Sequence, residues 1–128
     1  MNERLKSIVD LEKYPIHDLN SPIIKNLIKR CKQELDENSC STIPDFILPK
    51  SLEIMNQELE KQLDEVYMSK ESINAYLYAK DDPSLPKHHP KRTFMNRYNG
   101  YLNSDCFPKN SEMKFLYETE ELLKFVSA

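Results

Sequence analysis

Lys50-Ser51-Leu52-Glu53-Ile54-Met55-Asn56-Gln57-Glu58-Leu59-Glu60-Lys61-Gln62-Leu63-Asp64-Glu65-Val66-Tyr67-Met68-Ser69 is the stretch on which the fold turns. Leu52, Met55, Leu59, Leu63 and Val66 recur at offsets of three and four, so a helix over residues 50–69 gathers them on one stripe. Glu53, Gln57, Glu60, Lys61 and Asp64 fall outside the stripe and face water. A long helix with one apolar face needs a core to lie against, which the rest of the chain must supply.

Upstream, Ser21-Pro22 opens a second amphipathic helix, because serine can cap free amides and proline already holds a helical φ at the first position. Ile24, Leu27, Ile28, Cys31 and Leu35 form its apolar face, and it fades near Asp36-Glu37-Asn38-Ser39. Between the two helices, Cys40-Ser41-Thr42-Ile43 is a short β-prone run closed by a turn at Pro44-Asp45. Residues 1–20 show no sustained period and read as an extended lead-in whose order depends on docking.

Downstream, Ile73, Ala75 and Leu77 alternate with Asn74, Tyr76 and Tyr78, the period of a strand with one face buried. Residues 81–90 hold three prolines and form a loop. Residues 93–98 suit another strand. Ser111 can cap a helical turn through Tyr117, and Thr119 can cap a last helix whose Glu120 and Glu121 complement its dipole. Leu122, Leu123 and Val126 then face one way, with Phe115 and Leu116. The expectation is an α+β, mainly helical protein, with three to four helices, two to three short strands and one helix-rich domain over 21–128.

Composition narrows the function classes. Of 128 residues, 39% are hydrophobic and 30% charged, which suits a folded chain rather than a disordered one. The net charge of -3, with no block of like charge, argues against a nucleic-acid partner. No secretory signal and no membrane-length apolar run occur, so the expected setting is cytoplasmic, without membrane. Cys31, Cys40 and Cys106 lack the spacing of a zinc site and suit free thiols. With Gly100 as its one glycine, the chain has no glycine-rich phosphate loop.

His88-His89 are adjacent and point to opposite sides in an extended segment, which suits surface histidines or a lock beside Pro90 better than a metal pair. Tyr76, Tyr78, Tyr98 and Tyr101 can line a ligand, but strand-face packing with hydroxyls at the edge is the plainer reading. The carboxylates Glu53, Glu60 and Asp64 form a solvated helix face, and no serine or cysteine stands in a nucleophile motif.

A lysine- and arginine-bearing helix, then Ile43-Pro44-Asp45-Phe46-Ile47-Leu48-Pro49, then an acidic amphipathic helix resembles the opening of the non-haem iron(II), 2-oxoglutarate-dependent oxygenases. Asn74-Ala75-Tyr76-Leu77, Asp82-Pro83-Ser84-Leu85-Pro86-Lys87-His88-His89-Pro90-Lys91-Arg92, Asp105 before Phe107-Pro108, and Leu116-Tyr117-Glu118 are similar to the N-terminal region of members that hydroxylate or chlorinate free amino acids such as lysine. The resemblance runs from about Leu11 onward. It implies the N-terminal support layer of a double-stranded β-helix enzyme, with Fe(II) and 2-oxoglutarate as cofactors of the parent family and an amino acid as substrate. It also implies that Arg92, or its neighbour Lys91, lies near the substrate carboxylate, where a guanidinium would donate two parallel hydrogen bonds; the plainer alternative for these two residues is a solvated basic loop.

The family's iron sits on a His-x-Asp/Glu pair and a distal histidine. Here His17 precedes Asp18-Leu19, His88 precedes His89-Pro90, and His89 precedes Pro90-Lys91, so neither element is present. The expectation is therefore a truncated, barrel-less chain with no catalytic residue or metal ligand, inactive alone. It would work with a barrel-bearing partner chain or self-associate through its apolar helix faces. The alternative is a non-enzymatic helical interaction module.

Overall fold

The computed structural model describes residues 2–128. Its elements are α1 (Glu3–Ile8), α2 (Pro22–Asn38), α3 (Pro49–Glu60), β1 (Tyr67–Asn74), β2 (Phe94–Tyr101), α4 (Glu112–Glu118) and α5 (Glu120–Ser127). The class is α+β and mainly helical, with five helices and one antiparallel strand pair among the described residues. Two compact units divide the chain: a helical one, from the amino-terminal segment to Lys61 plus Phe107–Ala128, and a second one, Gln62–Cys106.

The core of the helical unit is built around the segment read as an extended lead-in. Leu5, Ile8, Val9, Leu11, Tyr14 and Ile16 make up six of the eleven residues of the buried cluster, joined by Ile24, Leu27, Met55, Leu116 and Phe125. Part of the segment is helical, and Asn2 caps α1 by accepting from the amides of Arg4 and Leu5. The rest is held by the chain around 46–48. Val9 bridges Ile47, the Asp10 amide donates to Phe46 O at 3.1 Å, and the Leu48 amide donates to Ile8 O at 2.8 Å. These bonds replace the strand expected at 40–43, which has no ladder partner. The Tyr14 hydroxyl donates to Pro44 O at 2.6 Å, and the Phe46 ring packs against Tyr14 on one side and Phe125 on the other.

α2 starts at Pro22 and ends at Asn38, with Ser39 in the left-handed region closing it. Ile24 and Leu27 are buried and Ile28 and Cys31 half-buried, while Leu35 stands exposed. Ser21 precedes the helix without making a side-chain cap.

α3 departs from the expected 50–69 helix in length and in orientation. It stops at Glu60, because Tyr67–Asn74 pairs with β2 and that tertiary ladder overrides the local helical pattern. Its buried line is Ser51 and Met55, flanked by half-buried Ile54 and Glu58, whereas Leu52, Leu59 and Leu63 are exposed. Ser51 is tolerated inside because its hydroxyl donates to Ser7 O at 2.9 Å, which satisfies a polar group that would otherwise be costly to bury.

Ser111 caps α4 as expected, its oxygen accepting from the Lys114 amide. Thr119 precedes α5 but donates its hydroxyl to Glu121 instead of capping an amide. On α5 the buried residue is Phe125, and Leu122 packs half-buried against the core as expected; Leu123 and Val126 point to solvent, which corrects their place on the expected face.

In the second unit, β1 and β2 run antiparallel from the Tyr67–Tyr101 pair to the Asn74–Phe94 pair without a break in register. The strand expected at 73–78 ends at Asn74, since the chain turns there with Leu77 in the left-handed region at a φ of 65°. The loop over 81–90 and the strand over 93–98 lie where the sequence puts them.

Candidate functional site

The densest polar cluster of the second unit forms around Asn74, whose side chain is almost wholly buried. Its Oδ1 accepts from the amides of Tyr76 at 2.9 Å and Tyr78 at 3.0 Å, and its Nδ2 donates to Lys91 O at 2.7 Å. Asparagine suits this position because its short amide can fold onto nearby backbone and close a turn. One side chain thus ties the turn after β1 to the segment entering β2.

That segment is fixed a second time by His89, whose Nδ1 accepts from the Lys91 amide at 3.1 Å and so caps the short turn Pro90–Arg92. The histidine next to Pro90 is a conformational lock, one of the two roles its sequence allows. His88 stands exposed beside it.

Arg92 and Lys91 then diverge. Arg92 donates Nε and Nη2 to the two carboxylate oxygens of Asp81, at 2.9 and 2.8 Å, and Nη1 to Leu85 O at 3.1 Å. The guanidinium holds the Asp81 carboxyl below its ordinary range, and the carboxylate in turn raises the arginine. Its planar fork therefore braces the proline-rich loop. Lys91 belongs to none of the ion pairs among the described residues, which are Lys13–Asp45, Arg30–Glu34, Arg92–Asp81 and Lys124–Glu120. Its ammonium lies 5.6 Å from the Tyr76 ring centre and 5.9 Å from that of Tyr78, within reach of a cation–π attraction.

A cleft of about 320 Å³ opens here, lined by Asn74, Tyr78, Ala79, Lys80, Asp82 and Lys91. The Asp82 carboxyl is held low first by hydrogen bonds from Ser84, with Lys91 assisting and Asp81 opposing. Two ammonium groups against one carboxylate leave the cleft net cationic, so it favours a small anionic group such as a carboxylate. The four tyrosines do not form one wall. Tyr76 and Tyr78 flank Lys91, whereas Tyr98 and Tyr101 sit on opposite faces of the ribbon, paired with Lys70 and Tyr67. All four are half or more exposed instead of packed on a strand face.

The sequence missed a carboxylate in the helical unit. Glu58 accepts from the Ser111 hydroxyl at 2.7 Å and from the amides of Glu112 at 2.9 Å and Met113 at 3.4 Å, covering the N-terminus of α4 from a neighbouring helix. The available signal was its spacing, three beyond Met55 and seven beyond Ser51. Glu53, Glu60 and Asp64 are exposed, and the three cysteines are free thiols.

Among the described residues no three His, Cys, Asp or Glu side chains stand close enough to share a metal ion. No helix among the described residues is long and apolar enough to cross a membrane. No family model, no curated protein and no solved structure matches the chain.

Proposed function

We propose that this chain is the support portion of an iron(II), 2-oxoglutarate-dependent oxygenase-like protein of the amino-acid hydroxylase or halogenase type, acting in the cytoplasm with a barrel-bearing partner chain. It contributes a covering layer and a carboxylate-facing cation, and no iron ligand. Besides the ordered motifs, one observation carries this reading: the apolar surface left open on the helical unit. Leu35, Leu52, Leu59, Leu123 and Val126 are all 40% or more exposed, and an apolar surface of this kind is what a partner covers.

Within this reading Lys91, and not Arg92, meets the amino-acid carboxylate, since the arginine fork is already occupied by Asp81. The test is turnover of 2-oxoglutarate with iron and free lysine, read as succinate, together with an NMR titration of lysine into the chain. No succinate and a shift centred on Lys91, Tyr76 and Tyr78 is the expected result. Succinate from the chain alone, or no shift at those residues, would count against it. The same exposed leucines favour a second reading, a non-enzymatic helical interaction module. That reading is separated by light scattering with a thermal melt: it requires a stable oligomer that melts cooperatively, where an uncovered support layer gives a marginal or aggregating monomer.

A further inference from the structure

We infer that the outer edge of β2 is a self-pairing site, through which two copies of this chain join their ribbons into a four-stranded antiparallel sheet. This rests on the strand edge, independently of the helix faces and of the reading above. Among the described residues the sheet has two strands, so one side of β2 is bonded to β1 and no strand lies along the other side. No backbone outside the ladder hydrogen-bonds residues Phe94–Tyr101. Natural edges are guarded by lysine, proline or a bulge, and β2 has none of these: its one charge is Arg97 and its register is continuous.

The pairing register follows from symmetry and charge. Residues facing each other across a two-fold axis normal to a sheet lie on the same face, so the axis must pass through a residue position. At Arg97 it would set two guanidinium groups opposite one another. At Tyr98 it sets Tyr98 against Tyr98, Arg97 against Asn99, Asn96 against Gly100, Met95 against Tyr101 and Phe94 against Leu102 of the second copy. No like charges meet, and Arg97 keeps Glu71 opposite it within its own ribbon. Ile73 faces Met95 and Tyr67 faces Tyr101 inside each ribbon, so the new Met95–Tyr101 pair extends each into an apolar row across four strands. Tyr98, Met95 and Tyr101 are 70%, 55% and 50% exposed and become covered cross-strand neighbours. The edge of β1 is the weaker candidate, because an axis at Lys70 or Glu71 in its middle sets like charges together.

Sedimentation of the full chain at high micromolar concentration tests this. The expected result is a reversible dimer. Tyr98→Lys and Tyr98→Glu should each weaken it roughly tenfold or more, since like charges then face each other at the axis; Tyr98→Glu, which faces Lys70 within its own ribbon, should do so with far-UV circular dichroism unchanged. An equimolar mixture of the two variants should recover the dimer, because the introduced ammonium meets the introduced carboxylate there and at no other register. A monomeric wild-type chain overturns the proposal. So does a dimer insensitive to both Tyr98 substitutions but lost on Val126→Lys, or a mixture that associates no better than either variant alone.

Discussion

Arg92 directs its hydrogen-bonding fork inward, onto Asp81 and Leu85, and this fixes how the loop responds to pH. Asp81 is held below its ordinary value in the folded chain, so the folded form binds that proton less tightly than the unfolded form does. The pair therefore stabilises the loop above the ordinary aspartate value of about 3.9, and the contribution is lost as pH falls through the lower folded value. An NMR titration should find the Asp81 midpoint below the ordinary value, and Arg92→Gln should return it there; a midpoint unmoved by the substitution would remove Arg92 as the cause. The sequence placed two cations side by side at 91 and 92 but carried no sign of which one was occupied. The deciding partner lies eleven residues away, across a loop whose path only the folded chain defines. Glu58 was hidden in the same way, as one acid among several on a helix until the face it shares with Met55 was known.

At the scale of elements, what was legible depended on how far a pattern repeated. α2, with several turns of spacing and a Ser-Pro start, appears where its sequence places it, and so do β2 and α4. α1 spans six residues, less than two turns, so Leu5 and Ile8 show no period, although both end fully buried. α3 shows the opposite error. Its sequence carries two stripes, one rich in leucine and one that includes a serine satisfied by Ser7 O and a glutamate satisfied by α4, and the second is the buried one. Met55→Ala should thus cost about 2–5 kcal/mol, as for a truncated core methionine, while Leu59→Ala stays within about 0.5 kcal/mol. Urea denaturation of the two variants measures the difference. Equal costs would restore the leucine stripe as the packed face.

For the whole molecule, the α+β, mainly helical class was readable because it follows from element counts that survive errors in individual boundaries. The two-unit organisation was not, because it depends on β1 pairing with β2 across the nineteen residues that separate them, a non-local contact that leaves no periodic trace. That division has a thermodynamic consequence. The helical unit encloses an eleven-residue apolar cluster, whereas Ile73 is the one buried hydrophobic residue recorded for the second unit. A two-stranded ribbon with so little buried surface is marginal in water, and its local opening should require much less free energy than opening the helical core. Hydrogen exchange on dilute protein should accordingly show the ladder amides of β1 and β2 exchanging well before those of α1 and the first turns of α2. Raising the protein concentration should slow exchange throughout the ribbon and not in the helical unit if the outer edge of β2 pairs with a second copy, because mass action stabilises the unit that must be folded for the association. Uniform protection across both units, unchanged by concentration, would show instead that the ribbon draws its stability from contacts within the single chain.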